Sequence, residues 1–208
     1  MFADRKDAGL KLAAALQRFR GEKALVLAIP KGGVEVGFYV AQELELPLSV
    51  VVARKLPYPD NPEAGFGAVA EDGSTFIFED AVRWLTQEDI GKIKRQQIAE
   101  ARRRVEVFRA GRPLPSLNGK TVILVDDGIA MGSTMRVSIK LCRHKQAARV
   151  IVAVPVSGRE MVREMSRLAD EAVILETPPF FKAVAQVYGR WYDVSDEEAA
   201  TFLKKAGL

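Results

Sequence analysis

The apolar run Val122–Val125 leads directly into Asp126-Asp127 and then into Gly128-Ile129-Ala130-Met131-Gly132-Ser133-Thr134. The run reads as a strand buried on both faces, and the residues after it as a turn into a helix. Open α/β sheets bind ligands at the carboxyl ends of their strands. A helix start offers unpaired N–H groups and the positive end of the dipole, which suits a phosphate dianion. Gly128 and Gly132 let the backbone wrap closely around such a group, and the Ser133 and Thr134 hydroxyls can donate to it. The acidic pair cannot favour that phosphate. It is placed to accept hydrogen bonds from vicinal hydroxyls, or to hold Mg²⁺ together with them. Acids beside a phosphate cradle describe a reader of ribose phosphate. A plain strand–turn–helix joint with an acidic cap uses the same residue types, and pattern alone leaves both readings open.

Two other segments add cations. Ile29-Pro30-Lys31-Gly32-Gly33 sets a cation and two glycines at the end of an apolar run, which makes an anion-binding turn. It matches neither the P-loop nor the dinucleotide fingerprint. Arg54-Lys55 follows a further apolar run, and two cations at a strand's carboxyl end are costly to bury without an anionic partner. The stretch beyond, Leu56–Gly67, is rich in Pro and Gly and contains Glu63.

These residues need a scaffold that brings strand ends together. Ala24–Ile29, Leu48–Ala53, Lys120–Val125, Val150–Val154 and Ala172–Leu175 read as strands. Helices are expected after Gly33, from about Gly132 to Lys145, and over Ser157–Leu168. Strands separated by helices predict an α/β fold, a mostly parallel twisted sheet flanked by helices and joined by right-handed crossovers. Residues 56–118 interrupt the alternation. Phe66–Ala70 and Thr75–Phe78 flank an Asp72-Gly73 turn signal, and Thr86–Arg109 has apolar residues at helical spacing. Such a helix extends roughly 35 Å. The segment reads as a hairpin-plus-long-helix insertion, a hood over one end of the sheet, within a single domain spanning 1–208.

Composition narrows the partners. The chain has 208 residues, 48% hydrophobic and 28% charged, enough to bury a core. A net charge of +4 suits an anionic small molecule and is too small to demand nucleic acid. No apolar run approaches the ~20 residues that span a bilayer. The first residues lack a signal-peptide pattern and read as an amphipathic helix. The single cysteine, Cys142, forms no intrachain disulfide and no multi-cysteine metal site. Together these features point to the cytoplasm. Arg102–Arg104 read as a solvated helix face, His144 as a surface residue at a helix end, and Cys142 as a small buried apolar group.

Val122–Thr134 resembles the thirteen-residue signature of the type I phosphoribosyltransferases, which bind phosphoribosyl pyrophosphate. The resemblance covers roughly residues 22–195 and includes the order of elements. It implies ribose contacts and Mg²⁺ for Asp126 and Asp127, and a 5′-phosphate loop at Gly128, Ile129, Ala130, Met131, Gly132, Ser133 and Thr134. It further implies a pyrophosphate loop at Pro30, Lys31, Gly32 and Gly33, with Arg54 and Lys55 as basic contacts. Leu56–Gly67 falls where the family has a mobile loop that closes over the reactants, which makes Glu63 a candidate catalytic group. Ala53–Lys55, Asn61–Glu63 and Gly67–Gly73 are most similar to a bacterial and archaeal group whose acceptor is unassigned. A homodimer is implied by the resemblance alone.

Two positions depart from the family. Met131 stands where Thr is common, and its side chain donates no hydrogen bond, a loss worth ~1.5–3 kcal/mol. Ala130 stands where the 6-oxopurine enzymes carry an acid that serves as base. The expected reaction is therefore transfer of a phosphoribosyl group to a nitrogenous acceptor other than a 6-oxopurine, with release of pyrophosphate. Lys31, Arg54 and Lys55 would balance the leaving charge. Two alternatives stay open: a regulator that senses phosphoribosyl pyrophosphate and binds nucleic acid or a protein, and another Mg²⁺-dependent phosphosugar enzyme. Phe180, Phe181, Tyr188, Trp191 and Tyr192 could stack on a nucleobase or plug the core.

Overall fold

The computed structural model describes residues 1–208. In chain order the elements are α1 (Arg5–Ala15), β1 (Ala24–Ala28), α2 (Gly32–Leu44), β2 (Leu48–Val50), β3 (Ala53–Tyr58), β4 (Asn61–Ala70) and β5 (Thr75–Ile77). They continue with α3 (Gln87–Arg109), β6 (Thr121–Val125), α4 (Ser133–His144), β7 (Arg149–Val156), α5 (Arg159–Leu168), β8 (Glu171–Glu176) and α6 (Asp196–Lys205).

The main sheet has the order β2-β1-β6-β7-β8 and every pairing in it is parallel. β1 and β6 are neighbours, with Ala28 opposite Val125. The two turns expected to hold anions therefore leave the sheet side by side, because the order of strands reverses there. Successive strand residues face opposite layers. Val26, Ala28, Ile123 and Val125 pack with Leu12, Val36, Val40, Phe108 and Leu203. Leu25, Leu27, Val122 and Leu124 pack on the other face with Met135, Leu141 and Met165. Burying one such aliphatic side chain contributes about 1.5–3 kcal/mol.

The hood is a second sheet, β3-β4-β5, antiparallel throughout, backed by α3. Leu56, Phe66, Val69, Ile90 and Ile93 give it a small core of its own. Thr86 caps α3 by accepting from the Asp89 amide. The buried Arg109 ties the hood to the main sheet: its guanidinium donates to both carboxylate oxygens of Glu71 (3.0 and 2.7 Å) and to the Val50 carbonyl (3.2 Å).

Two expectations need correction. Leu48–Ala53 is not one strand: the main-sheet strand ends at Val50, and Ala53 already belongs to the hood. The apolar run carries no break, so its periodicity could not show the chain changing sheets. Leu56–Gly67 is not a loop but most of the β3–β4 hairpin, turning at Pro59-Asp60. Pro57 fits because β3 is an edge strand and the residue sits at a register shift, where a missing N–H is tolerated, and Pro59 lies in the turn itself. No helix is long and apolar enough to cross a membrane.

Candidate functional site

A cleft of about 490 Å³ opens between the carboxyl end of β6 and the hood. Asp126 and the loop Gly128–Thr134 form its floor. Lys55, Tyr58, Glu63, Gly65 and Phe78 form the hood wall, and Val184 closes one side.

The loop is held by its surroundings. The Ile129 amide donates to the Val156 carbonyl (2.9 Å), which anchors the loop to the end of β7. Gly128 must be glycine for packing reasons: a Cβ there would lie 2.6 Å from Val184 Cγ1 and 2.8 Å from Val156 Cγ1. Arg136, on the second turn of α4, donates from Nη1 to the Met131 carbonyl (2.6 Å). Its remaining N–H groups pair with Glu164 of α5, and its guanidinium lies 4.7 Å above the Phe76 ring. Gly132 opens α4 with φ +72°, and no side chain caps that helix start. The amides of the first turn therefore remain free for an anion, and the Ser133 and Thr134 side chains line the same cleft. Met131 is 62% exposed on the rim.

The acidic pair divides. Asp126 faces the cleft, and its Oδ1 accepts from the Asp127 amide (2.8 Å). Burial first, and the neighbouring Asp127 charge second, push its carboxyl well above the usual range. Asp127 turns away from the cleft and accepts from Arg5 Nε (2.9 Å). Arg5 is 3% exposed and carries its guanidinium 4.1 Å from the Trp191 ring centroid. The turn after β1 closes tightly over the pair. A Cβ on Gly33 would lie 2.8 Å from both Asp126 Cα and the Val125 carbonyl, so only glycines allow this approach. The Pro30–Lys31 peptide is cis.

The predicted cations separate because successive strand residues point to opposite faces. Lys55 lines the cleft and donates to the Glu63 carbonyl. Arg54 points to α3, where its Nε donates to Gln97 Oε1 (3.3 Å); burial lowers its pKa, and the nearby Arg104 lowers it further. Lys31 faces Asp196 at the start of α6 (3.8 Å). Pro30, Lys31, Gly32, Gly33, Arg54 and Asp127 thus lie outside the cleft lining, while Asp126, Lys55, Glu63 and the loop lie within it. The Glu63 side chain is exposed at the hairpin tip.

The aromatic residues also split into two groups. Phe181, Pro178 and Pro179 wall a separate hollow of about 410 Å³ on the far side of Ala130. Tyr188 donates to the Asp127 carbonyl (2.7 Å) and packs against Trp191. Burial pushes the Cys142 thiol up to about 12, as befits a core residue. His144 is the last residue of α4, with Nδ1 3.1 Å from Ser74 Oγ. Arg103 and Arg104 both pair with Glu100 on their own helix. Arg5 and Arg136 carried no sequence signal, since each is an isolated arginine outside any motif in an ordinary helix.

A divalent cation fits this donor set only in one way. No group of three or more His, Cys, Asp or Glu side chains comes together. One free carboxylate, Asp126, suits Mg²⁺ that keeps most of its shell as water and ligand phosphate oxygens.

A strand end, an acid pair and an uncapped helix-start loop meet at the carboxyl end of a parallel sheet, and comparison with known proteins shows the family. Residues 5–188 match the phosphoribosyl transferase domain model. The chain belongs to the type I phosphoribosyltransferase family. It is 41% identical over 208 residues to a Mycobacterium tuberculosis H37Rv protein that carries a provisional phosphoribosyl transferase name. That match covers 99% of this chain but 47% of the relative, so the chain spans about half the length of the curated relatives it matches. The crystal structure of TT1426 from Thermus thermophilus superposes with a TM-score of 0.82 at 37% identity, covering 98% of each chain. A hypoxanthine-guanine phosphoribosyltransferase from Bacillus anthracis shares the fold, with a TM-score of 0.50 at 15% identity over 85% of this chain and 80% of that one.

Proposed function

We propose that the chain transfers the phosphoribosyl group of phosphoribosyl pyrophosphate to a nitrogenous acceptor other than a 6-oxopurine, releasing pyrophosphate. The observation that carries this reading is the cleft that joins Asp126 to an uncapped helix start at Gly132–Thr134. The 5′-phosphate would take the free amides of that start with the Ser133 and Thr134 hydroxyls. The Met131 amide still serves there although its side chain does not. Asp126 would accept from the ribose diol.

The turn Pro30–Gly33, packed against the acid pair, is where pyrophosphate would lie, with Lys31 and Arg54 balancing its charge as it leaves. Lys31 would exchange Asp196 for that anion. Mg²⁺ bound to the pyrophosphate would supply further charge stabilisation. The protein's contribution is then positioning and exclusion of water, with Lys55 and Glu63 on the hairpin that roofs the cleft. The acceptor would approach across Ala130, whose outer side opens on the hollow walled by Phe181. Ala130 offers no base, which is why a 6-oxopurine is the wrong acceptor. A homodimer in the cytoplasm completes the reading.

Thermal unfolding with phosphoribosyl pyrophosphate, with and without Mg²⁺, tests the donor. At about 100 times Kd the ligand should add roughly 2.7 kcal/mol of stability. No shift overturns the reading. Pyrophosphate release with a panel of nitrogenous bases then tests transfer. Binding with no release under any acceptor would mark a sensor instead.

A further inference from the structure

Arg5 lies on the first turn of α1, far in sequence from the cleft, and its side chain is almost wholly enclosed. Its Nε donates to Asp127 Oδ2 (2.9 Å) and its Nη1 to the Tyr192 carbonyl (3.0 Å). The guanidinium lies 4.1 Å from the centroid of Trp191 and 5.3 Å from that of Tyr192. Asp127 is fixed from its other sides as well. Its carbonyl accepts from Tyr188 Oη, and its amide donates to Asp126 Oδ1. Gly32 seals it from above, since a Cβ there would lie 1.8 Å from Oδ2. Asp126 has no cation within ion-pair distance and opens to the cleft.

We propose that the acidic pair is functionally asymmetric: Asp127 commits its carboxylate to Arg5, and Asp126 alone presents a carboxyl group without a cation partner to the ligand. Two adjacent ionised carboxylates at a half-buried strand end repel each other and any anion nearby. Arg5 removes one of those charges. The pair then tolerates an anionic sugar phosphate, and it does not trap a divalent cation by itself. Arg5 acts through Asp127 and touches no reactant, so it is a positioning residue. The inference rests on the acid pair being the ribose end of the proposed site, and it adds that only one of the two acids works there.

Two probes test it: ribose 5-phosphate by calorimetry, and Mn²⁺ binding to the ligand-free protein by electron paramagnetic resonance. D126N should cost at least about tenfold more ribose 5-phosphate affinity than D127N, because only Asp126 meets the sugar. R5Q should weaken ribose 5-phosphate at least about tenfold and strengthen Mn²⁺ by a similar factor, through the second carboxylate it frees. The double variant R5Q/D127N should return both affinities to the level of D127N, which a merely structural role for Arg5 would not produce. Equal losses in D126N and D127N, or unchanged Mn²⁺ binding in R5Q, would overturn the proposal. If R5Q fails to fold, as judged by its melting curve, the ratio between the two Asn variants still decides. If no form binds ribose 5-phosphate, the proposed function fails while the Mn²⁺ comparison still tests the asymmetry.

Discussion

At the loop end of the cleft, consecutive residues from Gly128 to Thr134 form the floor, and the helix they open starts without a side-chain cap. At the acid end, two carboxylates depend on groups drawn from α1, the turn after β1 and the segment around Tyr188–Tyr192. The first end is local, open and partly exposed, as the rim position of Met131 shows. The second is assembled across the chain and closed. A local motif can be recognised from its own residues. An end built by distant partners shows its anchor in sequence and hides what holds it.

The contrast has one exception, and the largest expected effect tests it. The loop also has a distant support, since Arg136 links the Met131 carbonyl to Glu164. R136A would leave Glu164 without its buried partner and the loop without its strut. A loss of about 3–5 kcal/mol is expected in chemical denaturation. A loss below about 1 kcal/mol would show that the loop holds itself, and the two ends would then differ more sharply still.

A smaller effect is expected at Gly128. G128A forces a Cβ into Val184 and Val156, so stability should fall by about 1–3 kcal/mol. Ribose 5-phosphate affinity should fall with it, because the loop must move to relieve the overlap. Stability lost with affinity intact would mean that the loop is not the phosphate site.

Substitution at the acid end should run the other way. Asp126 faces the cleft half-buried, with one backbone hydrogen bond and no cation beside it, and burial penalises its charged form. D126N is expected to raise the stability of the ligand-free protein by about 0.5–2 kcal/mol while it weakens ligand binding. A destabilised D126N protein would show that Asp126 is held as firmly as Asp127.

The smallest effect belongs to a control away from both ends. Glu100 on α3 has its carboxyl lowered to about 2, first by its hydrogen bond to Arg103, with Arg104 adding to it. A folded pKa below the unfolded value of 4.5 contributes stability that is present above 4.5 and is lost as the pH falls toward 2. E100Q should therefore lower stability slightly at neutral pH and flatten the acid limb of a stability–pH curve over that window. Solvent screening of these surface pairs keeps the effect within about 0.5 kcal/mol. A larger change, or one that alters ligand affinity, would reveal that α3 is coupled to the cleft.

The sequence by itself determined the parallel α/β plan, the β4–β5 turn at Asp72-Gly73, the long helix and the position of the acid-and-loop motif. Each of these is written in a short window, as a run of apolar residues, a turn dipeptide or a 3.6-residue spacing. The path from Leu48 to Gly67 was not legible in that way, because leaving one sheet for another changes partners and not periodicity. Nor could adjacency show that Arg54 and Lys55 face opposite sides, a matter settled only once the segment is known to be a strand. Tertiary structure alone decided that Arg5 claims Asp127, that Arg136 holds the loop and that the aromatic residues divide between a hollow and an arginine cage. Those contacts join residues more than a hundred positions apart in the case of Arg5 and Asp127. Only the folded chain brings such groups within reach, and no local pattern records which distant partner a buried charge will find.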